Sequence, residues 1–462
     1  MAVQARSLDR FRDLRRHAAV PAAVAFPTLA LLISLALPDA VSLSLSGLYL
    51  PIYRIALVFL LPLSLIVFLR NTARLSVVDY CIVGFAVLQA VSLSLHYGPT
   101  AQITVVGVSG SFKTSTFVNA GTTLLETLGP YFVARAYVTS RRDVASVARL
   151  LIYIAIVLSA TTLVESLSGR SLFQGGPEGG LVRFGLHRAS GPFPHPILWG
   201  LFAASTFAFS LAKDVVRRQF AARASIAALL FVAVMTSVSS AALAAVAIQL
   251  LLLVWFYLSR GLRHRGYYFA SGLVAFYLFV DLFSHRTPIQ AFFTYAALDP
   301  WTGYYRTLIW QFGWVDFLAS PWIGIGYEDW ARPRWMGASI DAFWLVLLLR
   351  YGLLAVVPLF AGIAGALRKV AAMLPDPRTR LSLDLAHFWF ASLIALLVAG
   401  FTVHFWQQSF VELFFLIGLW GAFAQDVAPR AIDTHLIHRR DGVRGVATAM
   451  PARGRGRLFG QF

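Results

Sequence analysis

Three ionisable side chains stand at separate points of an otherwise apolar chain, and their types suit the handling of a phosphorylated substrate. Arg188 opens the stretch RASGPFPHP, Arg306 opens RTLIWQFGWVDFLA, and Asp341 precedes a long apolar run. A guanidinium recognises phosphate or carboxylate through paired hydrogen bonds, and each such bond contributes roughly 1.5 to 3 kcal/mol. Two arginines could therefore hold a pyrophosphate against water, while a carboxylate could accept a proton as a general base.

The segment GPFPHP gives Arg188 a stiff setting. Pro192, Pro194 and Pro196 restrict the backbone that follows it, so the guanidinium should project from a rigid corner at the mouth of a helix. His195, between two of these prolines, is a second candidate base. It could equally be only a hydrogen-bonded part of the corner.

Asp341 also has two interpretations. At the outer mouth of a helix, partial desolvation could raise the pKa of its carboxyl group toward a value useful for a base. The letters SID before a helical run also suit an N-cap supplied by Ser339 or Asp341. The sequence leaves both interpretations open.

The composition shows what must position these side chains. Of the 462 residues 58% are hydrophobic and only 13% are charged, with a mean hydropathy of +0.70. Soluble domains carry roughly a quarter of charged residues. Apolar runs of membrane-spanning length recur along the chain, which predicts an all-α, polytopic membrane helix bundle of about twelve spans. The division between the seventh and eighth spans, at Ser237–Ser240, is the least marked.

The basic residues predict the orientation. Most of the 39 Lys and Arg fall in alternate connections between the predicted spans, which lie on the same side of the membrane. The net charge of +18 is therefore explained by the positive-inside rule and by anionic lipid rather than by nucleic acid. Both termini are then cytoplasmic, and 166–193 and 284–339 are external. The predicted parts are a basic N-terminus 1–18 leading into a retained signal anchor, a transmembrane domain 19–424, and a basic tail 425–462, disordered at the cytoplasmic lipid surface.

Other charged and aromatic side chains have less specific interpretations. Arg54, near the outer end of the second span, could add a third cation to the site or could snorkel to the interface. Arg350 lies deeper and could pair with Glu126 or contact a lipid phosphate. Simple interfacial anchoring is predicted for Asp79, Arg135, Arg149, Arg332 and Arg334, and equally for the helically spaced Trp310, Trp314 and Phe317.

Motifs for several other chemistries are absent from the sequence. It has no P-loop, no HExxH, no GxSxG and no calcium loop, and its single cysteine is Cys81. The sequence therefore predicts neither a metal nor a cofactor.

The order of the patterns resembles one known family. RxxGPFPHP before a helix is followed by YYRTLIWQFGWVDFLASPWIGIGY, and then by SIDAFWLVLLLRYG, in which Gly352 stands eleven positions after Asp341. This order, over roughly residues 180 to 360, resembles the O-antigen ligase and O-antigen polymerase family of bacterial envelope glycan assembly.

The resemblance implies a multi-spanning glycosyltransferase of GT-C-like architecture in the inner membrane, with its active site facing the periplasm. It implies a polyprenyl-pyrophosphate-linked glycan donor, a glycan or lipid-linked acceptor and no metal, with membrane lipids and other polysaccharide-assembly proteins as further expected partners. The pyrophosphate-binding arginines would be Arg188 and Arg306. Where ligases typically have histidine this chain has Asp341, which favours a polymerase over a ligase. A lipid-linked oligosaccharide flippase and an inactive scaffold remain alternatives.

Overall fold

The structure is a computed structural model that describes residues 23–38, 41–45, 48–72, 75–98, 100–107, 110–173, 182–262, 264–284, 290–291, 298–374 and 383–425. The predicted basic N-terminus 1–18 and nearly all of the predicted tail 425–462 lie outside these residues.

The described chain is mostly helical, which agrees with the predicted all-α class. The α-helices are α1 Phe26–Leu35, α2 Ile52–Asn71, α3 Val77–Tyr97, α4 Thr116–Tyr137, α5 Arg141–Ser168, α6 Pro196–Leu211, α7 Phe220–Thr236, α8 Ser240–Leu258, α9 Arg265–Phe283, α10 Pro300–Ala319, α11 Phe343–Ala372, α12 Leu385–Ala399, α13 Gln408–Gly418 and α14 Trp420–Gln425.

Within the described part, six helices are long and apolar enough to cross a membrane, and five shorter helices are also apolar. The six are α2, α3, α5, α8 with the short turn that extends it, α9 and α11. Large apolar side chains cover much of their outer surface, and α9 buries no residue at all. Such a surface suits lipid rather than water, as the predicted membrane class would require.

The least marked boundary in the sequence is a real break between helices. α7 ends at Thr236 and α8 begins at Ser240, with Ser239 accepting a hydrogen bond from the amide of Ala242 as the N-cap of α8. Val238 adopts a positive φ of 43° between them. The break leaves backbone carbonyl groups free to bind side chains of the site described below.

Among the described residues three short antiparallel hairpins lie in connections between helices, and the sequence did not predict them. Their strands are β1 Ser42–Leu45 with β2 Leu48–Pro51, β3 Gln102–Gly107 with β4 Gly110–Ser115, and β5 Val182–Arg183 with β6 Leu186–His187. The third hairpin leads directly into Arg188.

The segment after α10 inserts against a break in α11. Gly352 interrupts that helix with φ of 67°, and a Cβ there would lie 2.3 Å from the carbonyl group of Trp322. The amide of Leu353 donates to Pro321 O at 2.8 Å, and the amide of Ile325 donates to Leu349 O at 2.6 Å. The exposed backbone groups of the break are thus paired by the neighbouring segment, as an apolar interior requires.

This inserted segment also contacts α3. Ser92 donates to Ile323 O at 2.7 Å, and His96 Nε2 lies 3.2 Å from the same oxygen. The segment WIGIG therefore packs against Gly352, and this contact ties the end of α10 to the break in α11.

Candidate functional site

Glu165, near the end of α5, holds the proline-rich corner. Its Oε2 atom accepts from the amides of Gly191 at 2.8 Å and Ser190 at 3.2 Å, and its Oε1 atom accepts from Leu172 N at 2.9 Å. Gly191 has a φ of 57°, and a Cβ there would lie 2.9 Å from Thr162. The Glu165 carboxylate is thus engaged by backbone amides, and the corner has one fixed shape.

The break between α7 and α8 holds the other side of the corner. Ala189 N donates to Thr236 O at 2.9 Å, and Arg188 Nε donates to Ser237 O at 3.0 Å. The ring of Phe193 lies 5.9 Å from that of Trp199, whose indole N–H donates to Thr236. Arg188 therefore projects from backbone that is fixed on two sides, as the sequence predicted.

The structure brings Arg183, Arg188 and Arg306 together. Burial lowers the pKa of Arg188 to about 10, and the positive charges of Arg183 and Arg306 add to this effect. Arg306 is 7% exposed; burial lowers its pKa, the charge of Asp341 opposes that change, and Arg183 reinforces it. Three guanidinium groups from β5, the corner and α10 thus share one region.

Protein carboxylates do not neutralise this cluster within the described residues. None of the three arginines forms an ion pair with a carboxylate in the described chain. Arg188 Nη2 and Arg306 Nε are buried and have no hydrogen-bond partner there. A buried polar donor without a partner costs roughly 1 to 3 kcal/mol, and more when it is charged. The arrangement is therefore suited to an anionic ligand with several oxygen atoms.

Asp341 does not cap α11, so that interpretation of SID is wrong. The N-cap residue is Ala342, and no side chain bonds to the first turn. Phe343 N donates instead to Val403 O at 3.0 Å, in the connection between α12 and α13. The Asp341 carboxylate accepts only from Ser339 Oγ, at 3.2 Å, among the bonds of the described chain. Loop backbone has taken over the capping role because it packs directly on the helix end.

His195 is the N-cap of α6. Its Nδ1 accepts from Ile197 N at 3.2 Å, so the proton of the neutral ring is assigned to Nε2. Burial lowers the pKa of His195 to about 4, and the charge of Arg188 contributes. The imidazole is neutral at neutral pH, and its remaining nitrogen is a donor. This geometry suits a hydrogen-bond donor better than a general base.

Arg54 lies in an ion pair instead of joining the cluster. Its Nε is 2.7 Å from Glu126, which also accepts from Tyr53 at 2.7 Å. Arg350 does not pair with Glu126, contrary to one of its two interpretations, and lies over the ring of Tyr327 at 4.4 Å. Arg183 therefore supplies the third cation next to Arg188 and Arg306.

Several predicted interfacial anchors have protein partners. Arg135 and Asp79 form a buried ion pair at 2.9 Å, and Arg332 pairs with Asp329. Arg149 donates to Ser146 Oγ at 2.7 Å.

The aromatic residues of the predicted amphipathic helix, which begins at Pro300 as α10, differ in their surroundings. Trp310 donates to Phe401 O at 2.9 Å, Phe317 is buried, and Trp314 is exposed.

The connection between α12 and α13 was missed by the sequence reasoning. The ring of Trp406 lies 6.0 Å from that of His195 and 5.7 Å from that of His404. Gln407 follows with a positive φ of 49°. The letters TVHFWQQS were a usable signal, because they interrupt two apolar runs with hydrogen-bonding side chains.

Within the described residues no group of three or more His, Cys, Asp or Glu could hold a metal ion. No protein-family model and no curated protein matches the sequence. Function is therefore inferred from the chemistry of the site.

Proposed function

We propose that the protein is a membrane glycosyltransferase that transfers or polymerises glycan from a polyprenyl-pyrophosphate-linked donor, with a polymerase of exopolysaccharide or O-antigen favoured. The observation that carries this proposal is the cluster of Arg183, Arg188 and Arg306, buried in part and without carboxylate partners among the described residues. A pyrophosphate group offers the negative charge and the oxygen atoms that these donors lack.

The proposed reaction assigns a role to each side chain. The acceptor hydroxyl oxygen attacks the anomeric carbon, the bond from that carbon to the pyrophosphate oxygen breaks, and the lipid pyrophosphate leaves with the electron pair. Arg188 and Arg306 stabilise the charge that develops on the leaving group. Asp341 takes the hydroxyl proton, and His195 donates a hydrogen bond from Nε2 to a substrate oxygen.

The proposed architecture is a GT-C-like bundle of about twelve spans, a number supported by the six long apolar helices, the five shorter apolar ones and the 22-residue α4. With both termini cytoplasmic, the cluster faces the periplasm of a bacterial inner membrane. The basic residues of the opposite connections support this orientation.

Two alternative functions, a ligase and a flippase for lipid-linked sugars, would also need cations that bind a lipid-linked donor. A ligase would use the same arginines, but this chain has Asp341 where ligases typically have histidine. A flippase for lipid-linked sugars would need cations along a passage to both faces. Here Arg135, toward the other end of the bundle, is closed in an ion pair, which favours transfer at one face.

The test is transfer by variants of the cluster. Arg188→Ala and Arg306→Ala should each reduce glycan transfer by about 10²- to 10³-fold, the usual loss for a group that stabilises developing negative charge. Arg188→Lys should also lose most activity, because an ammonium cannot form the paired bonds of a guanidinium. The measurement is surface polysaccharide in a deletion strain complemented with each variant at matched membrane levels.

Arg334→Ala is the matched control, since Arg334 lies exposed on a neighbouring segment. Near-normal polysaccharide with either Arg188→Ala or Arg306→Ala would refute the pyrophosphate role.

A further inference from the structure

The connection that carries TVHFWQQS brings uncharged polar atoms into the same end of the bundle. His404 Nδ1, Gln407 Oε1 and Ser409 Oγ are buried and have no hydrogen-bond partner among the described residues. Buried polar atoms are nearly always paired in native proteins, so three such atoms within six residues call for an explanation. A ligand with its own donors and acceptors would satisfy them.

This connection lies between the two parts of the proposed reaction centre. Trp406 contacts the ring of His195 on the proline-rich corner. The carbonyl groups of Val403 and Gly400 accept from the first amides of α11, directly after Asp341. The connection therefore packs against the segment that follows Asp341 and against the corner that carries Arg188, rather than in a separate part of the bundle.

The backbone here is strained. Gln407 has φ of 49° and ψ of −124°, outside the conformations that residues other than glycine commonly adopt. Such strain persists only where the surroundings hold it, and it concentrates at functional sites.

The chemistry of the connection differs from that of the arginine cluster. Residues 400–410 contain no Lys, Arg, Asp or Glu, and burial lowers the pKa of His404 to about 3, so its ring is neutral at neutral pH. Uncharged donors and acceptors beside an indole ring suit a hydroxylated, neutral ligand, because the ring face covers apolar C–H groups while amide and imidazole groups bond to hydroxyls.

We propose that His404, Trp406 and Gln407 form the binding subsite for the acceptor sugar, next to the cationic subsite for the donor pyrophosphate. That the bound sugar is the acceptor of the reaction rests on the proposed function. The recognition of a neutral sugar by these residues stands on their geometry.

The experiment uses two probes with the full-length protein in nanodiscs. Farnesyl pyrophosphate reports on the cationic subsite, and a panel of uncharged methyl glycosides, followed by saturation-transfer NMR, reports on the neutral one. Wild type should bind farnesyl pyrophosphate and at least one glycoside. His404→Ala and Gln407→Ala should each weaken glycoside binding about tenfold, the effect of one or two lost hydrogen bonds, with farnesyl pyrophosphate binding unchanged.

Arg188→Ala should show the opposite pattern, and Gln311→Ala, exposed on α10, is the matched control. The inference is overturned if no glycoside binds wild type, or if glycoside binding is the same in both connection variants. Should His404→Ala lose its thermal transition, Gln407→Ala and Ser409→Ala carry the test. Glycoside binding that depends on His404, together with no binding of farnesyl pyrophosphate, would refute the proposed function and leave the sugar subsite standing.

Discussion

Two groups of buried charged side chains lie toward opposite ends of the bundle, and they differ in how completely protein atoms surround them. Asp79 accepts from Arg135 at 2.9 Å and from Tyr131 at 2.6 Å, while Arg135 lies 4.3 Å from the ring centre of Trp420. Trp420 in turn donates to Tyr131. Arg188 and Arg306, by contrast, lie near other cations, and Arg188 Nη2 and Arg306 Nε have no acceptor in the part of the chain that the structure describes.

A buried charge therefore does not by itself indicate function. A pair whose hydrogen bonds are complete holds helices α3, α4 and α14 together and needs nothing further. A cluster whose bonds are incomplete has been kept at a cost to stability, and a ligand is the simplest physical reason for that cost.

The two aspartates provide the sharpest test of this comparison. Asp341→Asn should lower glycan transfer by about 10²- to 10⁴-fold, the range of general-base catalysis, because an amide cannot accept the proton. Its melting temperature should match that of wild type, since Asp341 does not cap α11. Transfer by the purified variant, with a lipid-pyrophosphate donor and a parallel melt, measures both. An active variant would remove Asp341 from the mechanism.

Substitution in the Asp79–Arg135 network should lower stability rather than activity per folded molecule. Asp79→Ala leaves Arg135 buried without its partner, and we expect a loss of about 3 to 5 kcal/mol in the free energy of unfolding. Arg188→Ala should cause no such loss, because it removes a cation from a cluster of like charges. Denaturation of both variants in detergent, beside transfer per folded molecule, checks the pair. Equal melting of Asp79→Ala and wild type would mean that the network contributes little.

Features set by residues close together in the sequence were predicted, whereas contacts between residues far apart in the sequence were not. The helix containing Arg306, the rigid corner at Arg188 and the break near Val238 were predictable, because apolar runs, prolines and polar interruptions are local signals. The pairing of Arg54 with Glu126 and of Asp79 with Arg135 was not, since it depends on which helices become neighbours.

The candidate site shows the same division. Arg188, Arg306 and Asp341 were candidates from the sequence, and the structure brings Arg306 within electrostatic range of both other charges. Arg183 was missed because it stands in a hairpin that hydropathy does not reveal, and His404 was missed because a short connection gives no sign of what it packs against.

A smaller effect should follow from adding an anion. Inorganic pyrophosphate at a hundred times its dissociation constant should stabilise wild type by about 2.7 kcal/mol, the effect of any ligand that binds only the folded state. Arg188→Ala and Arg306→Ala should lose this stabilisation, whereas Arg334→Ala should keep it. Thermal melts with and without pyrophosphate at constant ionic strength measure it. Equal stabilisation of all four proteins would indicate binding elsewhere on the basic surface.

The last expected effect, smaller for each single side chain, is the pH dependence of stability that the buried histidines give to the region around Arg188. Burial lowers the pKa of His195 to about 4 and that of His404 to about 3, with contributions from the charges of Arg188 and Arg350. Both imidazoles titrate near pH 6.5 when unfolded. Between these values the unfolded chain binds more protons than the folded one, so stability must fall as the pH is lowered through this window.

We expect each histidine to contribute on the order of 2 kcal/mol to the loss of stability between pH 7 and pH 5. The double variant His195→Asn, His404→Gln should therefore lose less stability over this range than wild type, because its side chains do not titrate there. Denaturation at the two pH values measures the difference. An identical loss in both proteins would show that other groups carry the pH dependence, and that the two rings are already protonated or already solvated in the folded protein.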